Sequence, residues 1–118
     1  MSQDNNAALP RAEVFQAKAL AGYLYQKQDG SWAFQYTDTF GGIPISLTLP
    51  IQAEPYIFKE FPAVFDGLLP EGTQLEALLK THKIDRKDYF RQLITVGRDL
   101  VGSLSVKRAK AVNTEEVE

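Results

Sequence analysis

The sequence of 118 residues contains no cysteine, and histidine, tryptophan and methionine each occur once. Without cysteine the chain can form neither a disulfide bond nor a thiolate metal site, and catalysis by a Cys–His pair is excluded. The lone histidine, His82, cannot assemble a histidine-based metal cluster by itself. We therefore expect no metal, no cofactor and no catalytic residue.

The chain also lacks an excess of charge of one sign. It has 13 Lys and Arg residues against 15 Asp and Glu residues, a net charge of -2. Because a protein that binds nucleic acid neutralises phosphates with a basic surface, direct nucleic-acid binding is not expected. No apolar run approaches the roughly 20 residues that span a bilayer, and the polar start does not resemble a signal peptide. We expect a cytoplasmic protein without a membrane partner.

The composition that is present is ordinary for a globular protein, with 44% hydrophobic and 24% charged residues. The length fits one domain. We expect a flexible polar leader over residues 1–12, a folded domain over residues 13–106 and a flexible charged tail over residues 107–118. The tail separates its basic from its acidic residues, a pattern typical of disorder.

The first half of the domain has the pattern of an antiparallel β-meander. Residues 13–28 are rich in Val, Phe, Leu and Tyr and predict one long strand. The Asp-Gly pair at 29–30 predicts a hairpin turn, and residues 32–37 alternate as a return strand. A third strand is predicted at 45–49 and a short one at 56–58.

The second half changes to a helical period. A short helix is predicted from Pro62 to about Leu69, where the Pro-Glu-Gly sequence at 70–72 breaks it. Thr73 and Glu76 have the spacing of a capping box, which would open the next helix. That helix carries a predicted buried stripe of leucines at 75, 78 and 79.

A last helix and a last strand complete the pattern. Asp85 is the predicted cap of the helix, and Gly97 its predicted C-terminal stop. The predicted inner face of the helix comprises Phe90, Leu93 and Ile94. Alternation over residues 100–106 predicts the closing strand. The fold class is therefore α+β: an antiparallel β-meander, two to three short helices and a final strand.

Three enzyme-like patterns have simpler explanations. The glycines of residues 97–103 superficially resemble a phosphate-binding loop, but the lysine is missing and the helix precedes the strand. Asp66 and Glu71, two acids that flank a turn, are more typical of a solvated rim than of a general acid–base pair. No nucleophile-elbow sequence surrounds Ser103 or Ser105, which leaves His82 without a nucleophile.

Four large apolar residues crowd the short helix: Phe61, Phe65, Leu68 and Leu69. A helix of this length cannot direct all four inward. Either the domain uses them as core, or one or two protrude as anchors for a partner, since a few aromatic anchors dominate the energy of many interfaces. From the residues alone the chain is a binding module.

The segment 65–72, Phe-Asp-Gly-Leu-Leu-Pro-Glu-Gly, resembles the F-D-x-L-L-P-E/D signature of the N-terminal subdomain of HipA-type serine/threonine toxin kinases. Further segments resemble that subdomain in the same order: residues 22–24, 34–36, 45–50 and 90–104, the last with a Gly-Arg-Asp-x-Val-Gly block. The resemblance covers about residues 18–106. It implies the fold of that subdomain.

A HipA kinase continues with an ATP loop, a catalytic aspartate and metal-binding residues, none of which follows in this sequence, so the resemblance does not imply phosphoryl transfer. A separate protein of this pattern resembles the HipS-like antitoxins of tripartite HipB–HipS–HipT modules, whose shortened kinase lacks this subdomain. The start at Met1 and the polar tail favour such a finished gene product over a kinase fragment. The implied partners are a HipT-like kinase and a HipB-like helix-turn-helix repressor in a ternary complex.

The resemblance and the apolar crowding together indicate a partner-binding segment. Its candidate residues are Phe61, Phe65, Asp66, Leu68, Leu69, Pro70 and Glu71. The hypothesis is steric: Phe65, with Asp66 or Glu71 beside it, faces the active-site cleft of the kinase, so that Phe65→Ala weakens inhibition and leaves the fold intact. The alternative is an adaptor that bridges the kinase to the repressor without inhibiting it.

Other prominent residues have structural roles in this hypothesis. Arg98 and Asp99 are expected to hold the last helix–strand turn together. Trp32 and Phe34 are expected in the core.

Overall fold

The computed structural model describes residues 9–98, 100 and 103–109 of the chain. Its elements are the strands β1 (Arg11–Gln16), β2 (Ala19–Gln26), β3 (Trp32–Tyr36) and β4 (Tyr56–Phe58), the helices α1 (Ala63–Asp66), α2 (Gly72–His82) and α3 (Tyr89–Val96), and the strand β5 (Leu104–Arg108). The strands form one sheet in the order β4-β3-β2-β1-β5, and all neighbours are antiparallel. The predicted α+β architecture is confirmed.

The long strand predicted over residues 13–28 is wrong, because a hairpin divides it into β1 and β2. The turn residues Ala17 and Lys18 have φ angles of 50° and 72°. A two-residue hairpin turn requires this left-handed backbone, which Gly, Asn or Asp usually supplies. Since neither residue is of those types, the sequence carries no signal for the turn. The amide of Ala17 is held by the carbonyl of Ser103 at 2.9 Å.

The second hairpin follows the prediction. Gly30 has a φ of 91°, and the amide of Lys27 donates to the carbonyl of Ser31 at 2.8 Å. The hydroxyl and the amide of Ser31 donate to the carboxylate of Asp29, and these hydrogen bonds lower the pKa of Asp29 below its usual value. The turn is thus closed by its own side chains.

The strand predicted at 45–49 is wrong, and a compact loop takes its place. The buried hydroxyl of Tyr36 donates to the carbonyl of Leu49 at 2.5 Å and accepts from the amide of Ile45 at 3.0 Å. Burial raises the pKa of Tyr36 above its ordinary value, which keeps this hydroxyl protonated. Ile45 and Leu49 therefore turn into the core, whereas Leu47 is 100% exposed at the apex.

The helices cover one face of the sheet. Directly opposed residues of antiparallel strands share a face, and the registers place Trp32, Phe34, Leu24, Val14 and Val106 on the covered face. All five are buried. The predicted core positions of Trp32 and Phe34 are confirmed. The opposite face carries Phe15, Tyr23, Tyr25, Gln35 and Ile57, of which Ile57 is 53% exposed.

The capping box predicted at Thr73 and Glu76 does not form. The helix α2 begins at Gly72 with Glu71 as its N-cap, and no side chain bonds to the cap. Thr73 therefore lies inside the first turn. Glu76 instead accepts a hydrogen bond from Arg86 at 2.8 Å. The φ of Gly72 is 61°, a left-handed value that glycine adopts without strain.

The cap of α3 is Asp88, not Asp85. The carboxylate of Asp88 accepts from the amide of Arg91 at 3.1 Å, and that of Asp85 accepts from the amide of Lys87 in the turn before it. The inner face of α3 agrees with the prediction, since Phe90 and Leu93 are buried and Ile94 packs against the core.

Gly97 ends α3, as predicted, although not through a left-handed backbone. Its φ is -56°, and its carbonyl accepts the amide of Val106 at 3.0 Å. A Cβ on Gly97 would lie 1.7 Å from the carbonyl oxygen of Val106. The closing strand begins at Leu104, later than predicted. Two residues of that prediction, Val101 and Gly102, lie outside the described residues. Asp99, the predicted partner of Arg98 in holding the helix–strand turn together, also lies outside them.

We expect Gly97→Ala to destabilise the domain by about 3 kcal/mol, because the added methyl group forces α3 away from β5. Gly41→Ala is the matched control, since no atom lies within 4 Å of a Cβ there. Urea unfolding of both variants measures the difference. Equal midpoints for the two variants would contradict the close approach of α3 to β5.

Candidate functional site

The candidate partner-binding residues all lie in the 61–71 segment, which connects β4 to α2 and contains α1. Pro62, the N-cap residue of α1, is buried. The amides of Phe65 and Asp66 both donate to its carbonyl at 3.0 Å. After α1 the amides of Leu68 and Leu69 bond back to Phe65 and Asp66 at 3.0 and 3.1 Å. The helix is therefore shorter than the one predicted to Leu69, and the residues after it form hydrogen-bonded turns.

Phe65 has no exposed surface. Its ring lies against Phe34 at a centroid distance of 5.8 Å, in the same cluster as Leu24 and Leu93. The hypothesis that Phe65 faces a kinase is therefore corrected: α1 directs this side chain into the core. The physical reason is that a helix of four residues has one inward position, and Phe65 fills it.

Phe61 lies at the edge of an aromatic group. Its ring meets Trp32 edge-on at 5.1 Å and Tyr89 at 5.8 Å, and Trp32 in turn stacks on Phe90 at 5.7 Å. Phe61 remains half-buried. One edge of this ring is therefore open to a partner, while its contacts fix the ring in place.

The acidic candidates are on the outside. Asp66 and Glu71 are exposed, and Leu68 and Pro70, which lie between them in sequence, are half-buried. Leu69 is also half-buried and packs against the core. The segment therefore presents two exposed carboxylates, with half-buried apolar residues between them in the sequence. Exposed carboxylates accept charged hydrogen bonds from Lys or Arg of a partner.

A cleft of about 440 Å³ opens beside the 61–71 segment. We name it the helical cleft. It is lined by Leu68, Pro70, Gln74, Ala77, Leu78, Thr81, His82, Val96 and Leu100. Its walls are mainly aliphatic, with an amide, a hydroxyl and an imidazole among them. Such a cleft suits an apolar side chain that is oriented by a few polar contacts.

The helix α2, which forms one wall of the helical cleft, is loosely attached. None of its residues is fully buried, and the predicted leucine stripe at 75, 78 and 79 is only half-buried. Its ion pair, Glu76 with Arg86, joins side chains that are about 60% exposed (58% and 60%). An exposed pair of this kind contributes little to stability, because solvent screens its charges. The wall can therefore adjust to a partner at small energetic expense.

The helical cleft could not be predicted from the sequence, because its residues come from separate segments of the chain. The available signal was Ala77, an apolar residue of α2 that lies outside the predicted leucine stripe. His82 lies in the last turn of α2, as predicted, and lines the cleft. Among the described residues no group of three His, Asp or Glu is placed to hold a metal ion. In the same part of the chain, no helix has the length and apolarity to cross a membrane.

Residues 12–107 match the family model described as the HipA N-terminal domain. An uncharacterized protein of Haemophilus influenzae is 30% identical over 98 residues, which cover 83% of this chain and 92% of that protein. A putative kinase of Sinorhizobium fredii, Y4mE, is 29% identical over 91 residues, which cover 74% of this chain and 22% of the kinase. The match thus spans most of one relative and about a fifth of the other.

Two solved structures share the fold. The N-terminal domain of HipA toxin superposes with a TM-score of 0.69 at 26% identity, covering 95% of this chain and all of that one. A chain of the Shewanella oneidensis complex of HipA, HipB and operator DNA superposes with a TM-score of 0.64 at 20% identity, covering 91% of this chain and 25% of that chain. The matched part is the non-catalytic N-terminal domain.

We expect Phe65→Ala to destabilise the domain by about 3–5 kcal/mol, the range for removal of a buried aromatic ring. Leu47→Ala is the control, since Leu47 is fully exposed and its truncation should change stability by less than about 0.5 kcal/mol. Urea unfolding followed by circular dichroism measures both. If Phe65→Ala unfolded at the midpoint of Leu47→Ala, the burial of Phe65 would be refuted.

Proposed function

This chain belongs to the HipA N-terminal domain family, and on that premise we propose that it is an antitoxin that binds and neutralises a HipT-like serine/threonine kinase. The observation that carries the proposal is the span of the matches. The same domain forms 22% of a putative kinase and 92% of a protein without room for a kinase domain. A kinase that lacks the domain would receive it from a separate chain.

We infer that the kinase-facing surface is built from Asp66, Leu68, Pro70 and Glu71, with the open edge of Phe61 beside them. Phe65 and Leu69 pack into or against the core beneath this surface and so hold it in place. Kinase active sites hold the phosphates of the nucleotide with a lysine and with metal ions, both of which carry positive charge. The two exposed carboxylates therefore complement such a cleft, and an acidic segment docked there would exclude substrate or nucleotide.

The helical cleft gives the same surface an apolar component. Leu68 and Pro70 belong both to the cleft and to the 61–71 segment, in which Asp66 and Glu71 are exposed. An aliphatic or aromatic side chain of the kinase would fill it. Buried anchors of this kind supply most of the affinity of protein complexes, while charged groups at the rim set orientation and association rate.

The proposal assigns no chemical step to this chain. In this proposal the chain acts in the cytoplasm by binding a partner and blocking its activity. A sequence with one histidine and no cysteine is consistent with such a role. A HipB-like repressor is included as a third component, because the Shewanella relative is described in a complex with HipB and operator DNA.

A second candidate function rests on that same complex. The chain would then be an adaptor that joins the kinase to the repressor and leaves the kinase active. The two functions differ in one measurable property. The antitoxin abolishes autophosphorylation when it binds, whereas the adaptor forms an equally stable complex without loss of activity.

The first experiment mixes the purified chain with its cognate kinase and measures complex formation and autophosphorylation in the same samples. Binding with loss of activity supports the antitoxin. Binding with retained activity rejects the antitoxin and supports the adaptor. Absence of binding, with or without the repressor, rejects both.

We expect the double variant Asp66→Asn, Glu71→Gln to bind the kinase about tenfold more weakly, as for loss of roughly 1.4 kcal/mol of charge complementarity. The control double variant Asp38→Asn, Glu54→Gln removes the same charge from exposed positions outside the 61–71 segment. Calorimetric titration gives both dissociation constants. A similar loss for the two double variants would show that net charge, not this segment, governs binding.

A further inference from the structure

A second cleft, of about 290 Å³, lies where β1, β5 and the end of α3 meet, and it is lined by Phe15, Lys18, Arg98, Ser105, Val106 and Lys107. We name it the basic cleft. Three of these six residues are cationic, one carries a hydroxyl, and none of them is acidic. In a chain with a net charge of -2, this is a local concentration of positive charge that the composition does not indicate.

The fold brings Lys18 to the same cleft as Arg98 and Lys107, which lie near the other end of the chain. Lys18 lies in the turn between β1 and β2, at a φ of 72°. Arg98 follows Gly97, whose carbonyl is bound to the amide of Val106. Lys107 lies on the face of the sheet that the helices do not cover, opposite Glu13 in the register of β1 and β5. Backbone contacts, rather than flexible side chains, therefore set the positions of all three residues.

The local contacts leave donors available in the basic cleft. The ammonium group of Lys107 is 3.9 Å from the carboxylate of Glu13, longer than a hydrogen bond, and 5.4 Å from the centre of the Phe15 ring. Exposed ion pairs of this kind are weak. Among the described residues, Lys18 and Arg98 are in no ion pair. Ser105, directly opposite Phe15, adds a hydroxyl.

We propose that the basic cleft binds a phosphate monoester carried on a phosphorylated serine or threonine side chain of a partner protein. Such a group carries a charge of about -1.5 to -2 and three acceptor oxygens. Lys18, Arg98 and Lys107 supply charged donors, and the hydroxyl of Ser105 supplies a neutral one. Phe15 provides an apolar wall for the aliphatic part of the residue. Charge-assisted hydrogen bonds from several cations are the usual means of recognising such a group.

The size of the basic cleft favours a protein source over a nucleic acid. A nucleic-acid site needs basic residues along a stripe that follows successive phosphates. Here the cations line a single small cleft rather than a longer stripe. The acidic residue Glu13 also lies next to Lys107 on the same face of the sheet. If the carrier is the kinase partner, that identification rests on the proposed function, but the phosphate site itself does not.

The test titrates the ¹⁵N-labelled chain with N-acetyl-O-phosphoserine amide at low ionic strength. We expect saturable shifts of the amides of Lys18, Ser105 and Lys107, competition by inorganic phosphate, and no shifts with N-acetylserine amide. The double variant Lys18→Gln, Lys107→Gln should bind at least about fivefold more weakly, and the control Lys59→Gln should bind as the natural chain does. These changes remove exposed charges and leave the core intact.

Three results would overturn the proposal. The first is the absence of saturable shifts up to about 20 mM N-acetyl-O-phosphoserine amide, in the weak-affinity range. The second is equal weakening of binding by Lys59→Gln. The third is tighter binding of a thymidine oligonucleotide than of N-acetyl-O-phosphoserine amide. The last result would assign the cleft to nucleic acid. These measurements use the chain alone, so a failure to bind the kinase leaves them unaffected. Phosphatase treatment of the kinase then tests whether it is the carrier: a complex of unchanged affinity excludes it.

Discussion

The contact between Phe65 and Phe34 is the constraint on which the rest of the molecule depends. It joins the helical half of the chain to β3 of the sheet, and the ring of Phe65 is completely buried. Burial of such a side chain contributes roughly 1.5–3 kcal/mol, a large share of the stability of a small domain. Because Phe65 is the one fully buried residue of α1, its neighbour Asp66 faces outward. The 61–71 segment therefore presents Asp66, Glu71 and one edge of Phe61, and not the ring of Phe65.

A second constraint acts at the edge of the sheet formed by β5. Gly97 brings the end of α3 so near to β5 that a Cβ would not fit, and β5 in turn pairs with β1. The first and the last strand of the domain are therefore neighbours. For this reason Lys18 lines one cleft with Arg98 and Lys107, although it lies far from both of them in the sequence. The two clefts differ in character: the helical cleft is mainly aliphatic, and the basic cleft is cationic.

The surface of the domain combines a fixed segment with a loosely attached helix, an arrangement that suits binding to a partner. Its rigid part is the aromatic core beneath the sheet, and its adaptable part is α2, which is tied mainly by half-buried leucines and one exposed ion pair. A partner that fills the helical cleft can reposition α2 at small energetic expense, because few buried contacts have to be broken. The 61–71 segment, in contrast, is fixed by the buried ring of Phe65. A preorganised segment beside an adaptable wall favours tight and selective binding.

Local patterns in the sequence determined the class of each element. Alternation identified β3, the period of Phe90 and Leu93 identified the inner face of α3, and the Asp-Gly pair at 29–30 identified a hairpin. Signature residues also identified the family. Local patterns could not decide contacts between elements, since periodicity shows which residues are apolar and not what they touch. Only the tertiary structure decided that Phe65 packs against Phe34 in the core and is not exposed to a partner. In the same way the hydroxyl of Tyr36 converted an alternating segment into a loop, because a buried donor and acceptor must be satisfied across the fold.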